Sequence, residues 1–228
     1  TDRGEVSFQI RNRDDVRVPP QVGASSGATE LVDGVVVEGE SLRDEMPRRV
    51  SDASVAVLDA KLEPRETSAD VEYNLTDVGQ LDEALAAEER ALAGYADALV
   101  EAGVDVLVAT KDVDDRVAAH LARAGVLAFD GVSKTDARAI AQATGSTMLG
   151  DVRDIESDDL GRADAVHLET YGDDDLVFVE GGENAESVTL FVRGGTEHVV
   201  DELERALGDA LDVAAVTLTH GGVVPGAG

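Results

Sequence analysis

The sequence predicts an α/β fold, and three observations carry that prediction. Apolar strand-like runs alternate with helix-like segments from Val104 to Thr144, the order expected of strands joined through helices. Aromatic residues make up only 3% of the chain against 43% hydrophobic residues overall, so the core must be built from Val, Leu, Ile and Ala. The 228 residues suffice for one large domain, or one domain and part of another, at roughly 150 residues per domain. A chain of that size buries roughly 70% of the surface that its unfolded form exposes.

Each element follows from local pattern. Residues 1–33 are irregular, with a weakly alternating strand at Glu5–Arg11 and a Gly/Ser/Ala-rich loop after Val18-Pro19-Pro20. Val35–Val37 and Ser54–Leu58 are short buried-strand runs, with a turn or extended piece at Met46–Arg49 between them. Residues 77–101 give the clearest helix: Leu81, Leu85, Leu92, Tyr95 and Leu99 form one stripe, and Glu88 fills its missing position. Asp77 and Gln80 form a candidate capping box, and Gly103 ends the helix. A charged residue within the stripe predicts that part of this helix stands away from the core. Strands follow at Val104–Val108 and Val126–Phe129, each leading into a helix, Asp112–Ala124 and Thr135–Thr144. Val166–Leu168, Leu176–Glu180 and Ser187–Val192 are further strands. A last helix runs from Thr196 to about Val213, with Val199, Val200, Leu203, Leu207, Ala210 and Leu211 on its apolar side.

Charge narrows the functional classes. Forty-eight Asp+Glu against 19 Lys+Arg leave a net charge of −29, spread along the chain. Such a surface repels phosphate backbones and anionic lipid, so neither nucleic acid nor membrane is an expected partner. The lysines are only Lys61, Lys111 and Lys134. So dense a negative charge destabilises a compact state at low salt and costs little once the screening length falls to ~3 Å at molar ionic strength. The expectation is a cytoplasmic protein of a high-salt organism. With no Cys, disulfides, iron–sulfur clusters and thiolate nucleophiles are excluded. No apolar run approaches the ~18 residues of a membrane span, and no signal peptide pattern opens the chain. It begins at Thr1, which suggests a piece of something longer.

Spacing alone names no chemistry. His120, His167, His198 and His220 form no i, i+4 pair, so no metal site is expected. Asp112, Asp114 and Asp115 read as charges at a helix N-terminus, and Asp173–Asp175 as a turn, since neither run has calcium-loop spacing. Asp209, four residues after Arg205, reads as a helical ion pair. The terminal Gly/Pro run from Gly221 to Gly228 lacks both a following helix and a lysine to hold phosphate.

A series of words in order goes further. Met46-Pro-Arg-Arg-Val50 with Ser54–Leu58, Thr76-Asp77 with Glu88-Glu89, and Lys111–Leu121 (KDVDDRVAAHL) resemble segments of the archaeal group II chaperonins, the thermosomes. So do Lys134-Thr-Asp136 with Ala141–Gly145, Asp159-Leu-Gly161, Leu176–Gly181 (LVFVEG), and above all Phe191–Val199 (FVRGGTEHV) leading through Glu204–Leu211 to the terminal Pro-Gly-Ala-Gly. The resemblance covers about residues 30–228. It departs from the family in residues 1–30, at Val78 where the family has Pro, and at Ala227 in place of a glycine.

The resemblance implies a chaperonin apical domain at 34–194, a sheet or sandwich flanked by helices, with a helical protrusion at about 77–103. Residues 1–33 and 195–228 correspond to parts of an α/β intermediate domain, and the equatorial ATPase domain is absent. The implied function is binding of unfolded client proteins within an ATP-dependent folding machine of stacked rings. Asp115, Arg116, Ala119, His120 and Arg123 are the implied client contacts. Asp209 corresponds to the carboxylate that activates water for ATP hydrolysis, and Gly226 and Gly228 to glycines that approach nucleotide, in a full-length parent that uses ATP and Mg. The chain alone is expected to be monomeric, to need no cofactor and not to hydrolyse ATP. Two alternatives compete: an apical-like domain of a ringless enzyme or regulatory protein, and an acidic metal-binding protein, which a calcium titration in molar KCl would discriminate.

Overall fold

Strand β4 (Arg49–Leu58) joins two kinds of sheet in one strand. Its first part, Arg49–Val55, runs antiparallel to β8 (Gly161–Tyr171). Its last part, Val55–Leu58, runs parallel to β5 (Val106–Ala109), and Val57–Leu58 run parallel to β7 (Met148–Leu149) on the other side. A computed structural model describes residues 16–17, 20–22, 30–64, 78–171, 174–182, 188–194 and 196–220. The expected strand at Glu5–Arg11, the Asp77 cap, and Gly226 and Gly228 lie outside these residues.

The remaining strands are β1 (Val16–Arg17), β2 (Pro20–Val22), β3 (Glu30–Glu38), β6 (Leu127–Phe129), β9 (Asp174–Glu180) and β10 (Val188–Gly194). All ten described strands form one sheet, ordered β1-β10-β3-β9-β8-β4-β5-β6, with β2 on β10 and β7 on β4. The parallel part is wound through helices. Helix α1 (Val78–Ala102) lies between β4 and β5, α2 (Asp115–Ala124) between β5 and β6, and α3 (Lys134–Thr144) between β6 and β7. Crossovers to β5 and β6 proceed in one direction and the return to β7 in the other, so right-handed connections put α3 on the opposite face from α1 and α2. Accordingly α1 packs on α2, whereas α3 lies on β3, β4, β7 and β8. With both faces covered, β5, β6 and the last six residues of β4 are buried throughout, which is why they read as unbroken apolar runs.

The core is aliphatic, as the composition requires. Leu58, Leu62, Leu92, Leu99, Leu107, Leu121, Leu127 and Ile140 are fully buried, with Phe129 the largest side chain among them. Each such residue contributes about 1.5–3 kcal/mol of transfer free energy. Helix ends are fixed locally. Asp114 and Ser133 cap α2 and α3 by accepting from the Arg116 and Asp136 amides, at 2.8 and 3.1 Å. Gly125 closes α2 in the left-handed conformation, φ 81°.

One helix follows the sequence pattern and another departs from it. In α1 the stripe is buried only from Leu92 onward, through Ala96 and Leu99, while Leu85 is 53% exposed. The first half of α1 therefore stands off the sheet. The last helix, α4, spans Glu197–His220 and continues past the expected end near Val213. It rests on β2 and β10 with Val200 buried, but Val199, Val213 and Val216 are exposed and Leu203, Leu207 and Leu211 only half-buried. Its expected apolar side is thus mostly uncovered among the described residues.

Candidate functional site

Helix α2 is amphipathic by design of its spacing. Val117, Ala118 and Leu121 turn into the core, which leaves Arg116, His120 and Arg123, at i, i+4 and i+7, on the outer face beside Ala119. Helix α1 runs alongside. Between them lies a groove of about 140 Å³, lined by Glu89, Leu92 and Ala93 from α1 and by Arg116, Ala119, His120 and Arg123 from α2. Four of the five residues expected to contact a client are therefore brought together. Asp115 is not among them; it is exposed in the first turn of α2.

The electrostatics of the groove are set by Arg116. Its Nε and Nη2 donate to the two Asp114 oxygens at 3.0 Å each, and Nη2 also donates to Glu88 Oε1 at 2.8 Å. These bonds, the Asp114 one foremost, raise the guanidinium further above its ordinary value and hold the Asp114 carboxyl below its own. Arg123 donates through Nε to the Ala119 carbonyl at 3.1 Å. The groove thus offers a small apolar floor of half-buried Ala93 and Ala119, over buried Leu92, between polar rims. It can hold a short side chain and hydrogen-bond what surrounds it.

A second feature lies at the carboxyl ends of the parallel strands. Asp59, the residue after β4, accepts from Thr110 Oγ1 at 2.7 Å and from Lys134 Nζ at 2.8 Å, with Lys111 Nζ 3.5 Å from its Oδ1. The Lys134 bond is the largest of the effects that hold its carboxyl down to about 2. A crevice of about 540 Å³ opens beside it, lined by residues that include Lys61, Glu63, Tyr95, Lys111 and Asp151. Sequence reasoning missed this cluster. The signal was present: the chain's three lysines each follow the end of a strand, β4, β5 or β6. It also missed Glu89, Leu92 and Ala93, whose role depends on α1 packing against α2.

The other expected site residues stand apart. Asp209 is exposed on α4, its Oδ2 3.8 Å from Arg205 Nη1, and Arg205 also reaches Glu202 at 2.6 Å. The helical ion pair read from spacing is there. His120 borders the groove, His167 is buried and stacked on Phe178 with ring centroids 5.1 Å apart, and His198 is exposed. Among the described residues, no group of three or more His, Asp or Glu is arranged to hold a metal ion. None of the described helices is long and apolar enough to cross a membrane.

A model of the TCP-1/cpn60 chaperonin family matches residues 4–228. This chain belongs to that family. Among curated chaperonin relatives, thermosome subunit 3 of Haloferax volcanii is 60% identical over 219 residues, covering 96% of this chain and 42% of the relative. Thermosome subunit 1 of the same organism is 45% identical, over 93% of this chain and 38% of the relative. Among solved chaperonins, the open-state monomer of a group II chaperonin from Methanococcoides burtonii superposes with a TM-score of 0.72 at 27% identity, covering 90% of this chain and 44% of that one. The chain is of the archaeal group II chaperonin type, and it spans about two fifths of the length of the relatives it matches.

Proposed function

We propose that this chaperonin chain carries the client-binding surface of a group II chaperonin, and that the surface is the α1–α2 groove with the outer face of α2. The observation that carries this reading is the convergence of Arg116, Ala119, His120 and Arg123 on one groove whose apolar part is half-open to solvent at Ala93 and Ala119. An unfolded chain presents short apolar side chains among hydrogen-bonding amides, and a small apolar floor between polar rims suits both. In this reading residues 34–194 are the apical domain, 77–103 the protrusion, and 1–33 and 195–228 parts of the intermediate domain. The exposed first half of α1 supports a protrusion whose tip meets something other than its own core.

The full-length parent would use ATP and Mg, with Asp209 as the base that activates water and Gly226 and Gly228 close to nucleotide, and would assemble with other subunits into a double ring in the cytoplasm. Among the described residues Asp209 is exposed and pairs with Arg205 on its own helix. The chain alone is proposed neither to bind ATP usefully nor to hydrolyse it, and to be monomeric.

The test is light scattering of a chemically denatured client diluted into molar KCl, with and without the chain and without nucleotide. Suppressed aggregation at near-stoichiometric amounts, lost in an Ala119→Glu, Arg123→Glu double variant that remains folded, is the expected result. A folded chain that leaves aggregation unchanged overturns the reading.

A further inference from the structure

The entry of α2 is fixed from outside the helix. The loop between β5 and α2 runs from Thr110 to Asp114, and its main chain is tied to the segment that leaves β4: Thr110 N donates to Leu58 O at 2.9 Å, Leu62 N to Asp112 O at 3.1 Å, and Asp114 N to Leu62 O at 2.9 Å. Val113 N donates to Asp130 Oδ2 at 3.1 Å, at the end of β6. Side chains repeat the pattern. Lys111 turns back to the Asp59 carbonyl at 3.0 Å, Thr110 and Lys134 grip the Asp59 carboxylate, and Lys61 bonds Glu63 at 3.0 Å and Asp112 at 3.3 Å.

All three lysines of the chain belong to this network, whereas its remaining Lys+Arg cations are arginines. The difference is chemical. A guanidinium presents a flat fork suited to one carboxylate edge, while an ammonium is a compact charge with three donors that several oxygens can surround. Lys111 uses that geometry, meeting a carbonyl and a carboxylate of the same residue. The Asp59 carboxylate that Lys111 and Lys134 share is three-quarters withdrawn from solvent, its side chain 26% exposed.

We propose that Asp59 is the positioning residue for α2: through Thr110, Lys111 and Lys134 it sets where the β5–α2 loop delivers Arg116, Ala119, His120 and Arg123 to the groove. This rests on the proposed client-binding reading for its consequence, but not for its geometry. Asp59 touches no groove residue. It acts by fixing the loop that caps α2.

The test compares Asp59→Asn and Thr110→Val with Leu176→Ala, a core truncation in β9 remote from α2, all in molar KCl well below their unfolding temperatures. Amide hydrogen exchange and client capture are read on each. In Asp59→Asn, exchange is expected to quicken at least tenfold for residues 113–118 and to stay within twofold in β8 and β9, while the concentration needed for half-suppression of aggregation rises at least threefold. Leu176→Ala is expected to quicken exchange without that local pattern and to leave capture by the folded fraction unchanged. Uniform quickening in Asp59→Asn, or none at 113–118, overturns the proposal. Thr110→Val removes one donor without the carboxylate and should show the same local pattern should Asp59→Asn fail to fold; its absence there also overturns it. A parent chain that captures no client removes the functional reading, and the exchange comparison still decides whether Asp59 positions α2.

Discussion

Arg116 Nη2 and Glu88 Oε1 lie 2.8 Å apart, and their bond marks the level at which α1 leaves the body of the domain. Toward the C-terminus from Glu88, Leu92, Ala96 and Leu99 are buried; toward the N-terminus, Leu85 is exposed. Glu88 occupies a stripe position because at that level the neighbour is a cation on α2 rather than a core. Truncations along α1 should therefore differ sharply. Leu99→Ala is expected to cost about 2–5 kcal/mol and Leu85→Ala less than about 0.5 kcal/mol. Denaturant unfolding in molar KCl measures both, and similar losses would mean that the stripe packs along its whole length.

Acid should expose the Asp59 cluster. The folded state holds this carboxyl at about 2, below the ordinary 3.8, because the ionised form accepts from Lys134 and Thr110. Its stabilisation is fully present above the unfolded value and is lost as pH falls through the folded one. Parent and Asp59→Asn should thus differ most in unfolding midpoint above about pH 5 and converge as pH approaches 2. Two curves that stay parallel over that range would remove Asp59 from the acid response.

Gly34 tests the antiparallel half. It has φ 145°, and a Cβ there would sit 2.0 Å from the Val179 carbonyl oxygen, a backbone atom that cannot swing aside. Gly34→Ala should therefore cost at least about 2 kcal/mol from the clash and the backbone strain together. Gly94→Ala, in open space on α1, is expected instead to stabilise by up to about 1 kcal/mol. Thermal unfolding of both variants gives the contrast, and a Gly34→Ala chain as stable as the parent would contradict the strand register.

Net charge predicts the response to salt. At −29, self-repulsion should weaken as the screening length falls from about 10 Å at 0.1 M to about 3 Å at 1 M. The unfolding temperature is expected to rise with KCl across this range. A flat profile would mean that specific ion pairs, such as those of Asp59, already balance the repulsion.

Much of the fold was legible because its central strands are buried on both faces. Val106–Ala109 and Leu127–Phe129 carry their signal in unbroken apolar runs, and α2 and α3 carry theirs in spacing and caps. Strands defined by their neighbours were not legible. Arg49–Ala53 is polar and contains Asp52 at φ 51°, yet it pairs with β8; Gly161–Ala165 lies before the strand expected at Val166–Leu168, yet it is the other half of that pairing. Helix α4 runs on to His220, past the end expected near Val213, through Val213, Val216 and Thr217, residues of weak helix preference. The α2 side of the groove came from a family resemblance. Its α1 side and the Asp59 cluster depend on contacts 28 to 75 residues apart, as between Arg116 and Glu88 or Lys134 and Asp59, which no local pattern encodes.

The double role of β4 fixes when this chain can fold as it is made. Arg49 awaits His167, Val57 awaits Met148, and in β3 Gly34 awaits Glu180. Only β8 and β9, closing at Tyr171 and Asp174, pair across a short connection among the described strands. Such remote pairings delay productive collapse. On a ribosome adding roughly 5–20 residues per second, the apolar runs of β3 and β4 would emerge many seconds ahead of their partners. A segment proposed to receive unfinished chains is itself an unfinished chain until its last strands have been synthesised.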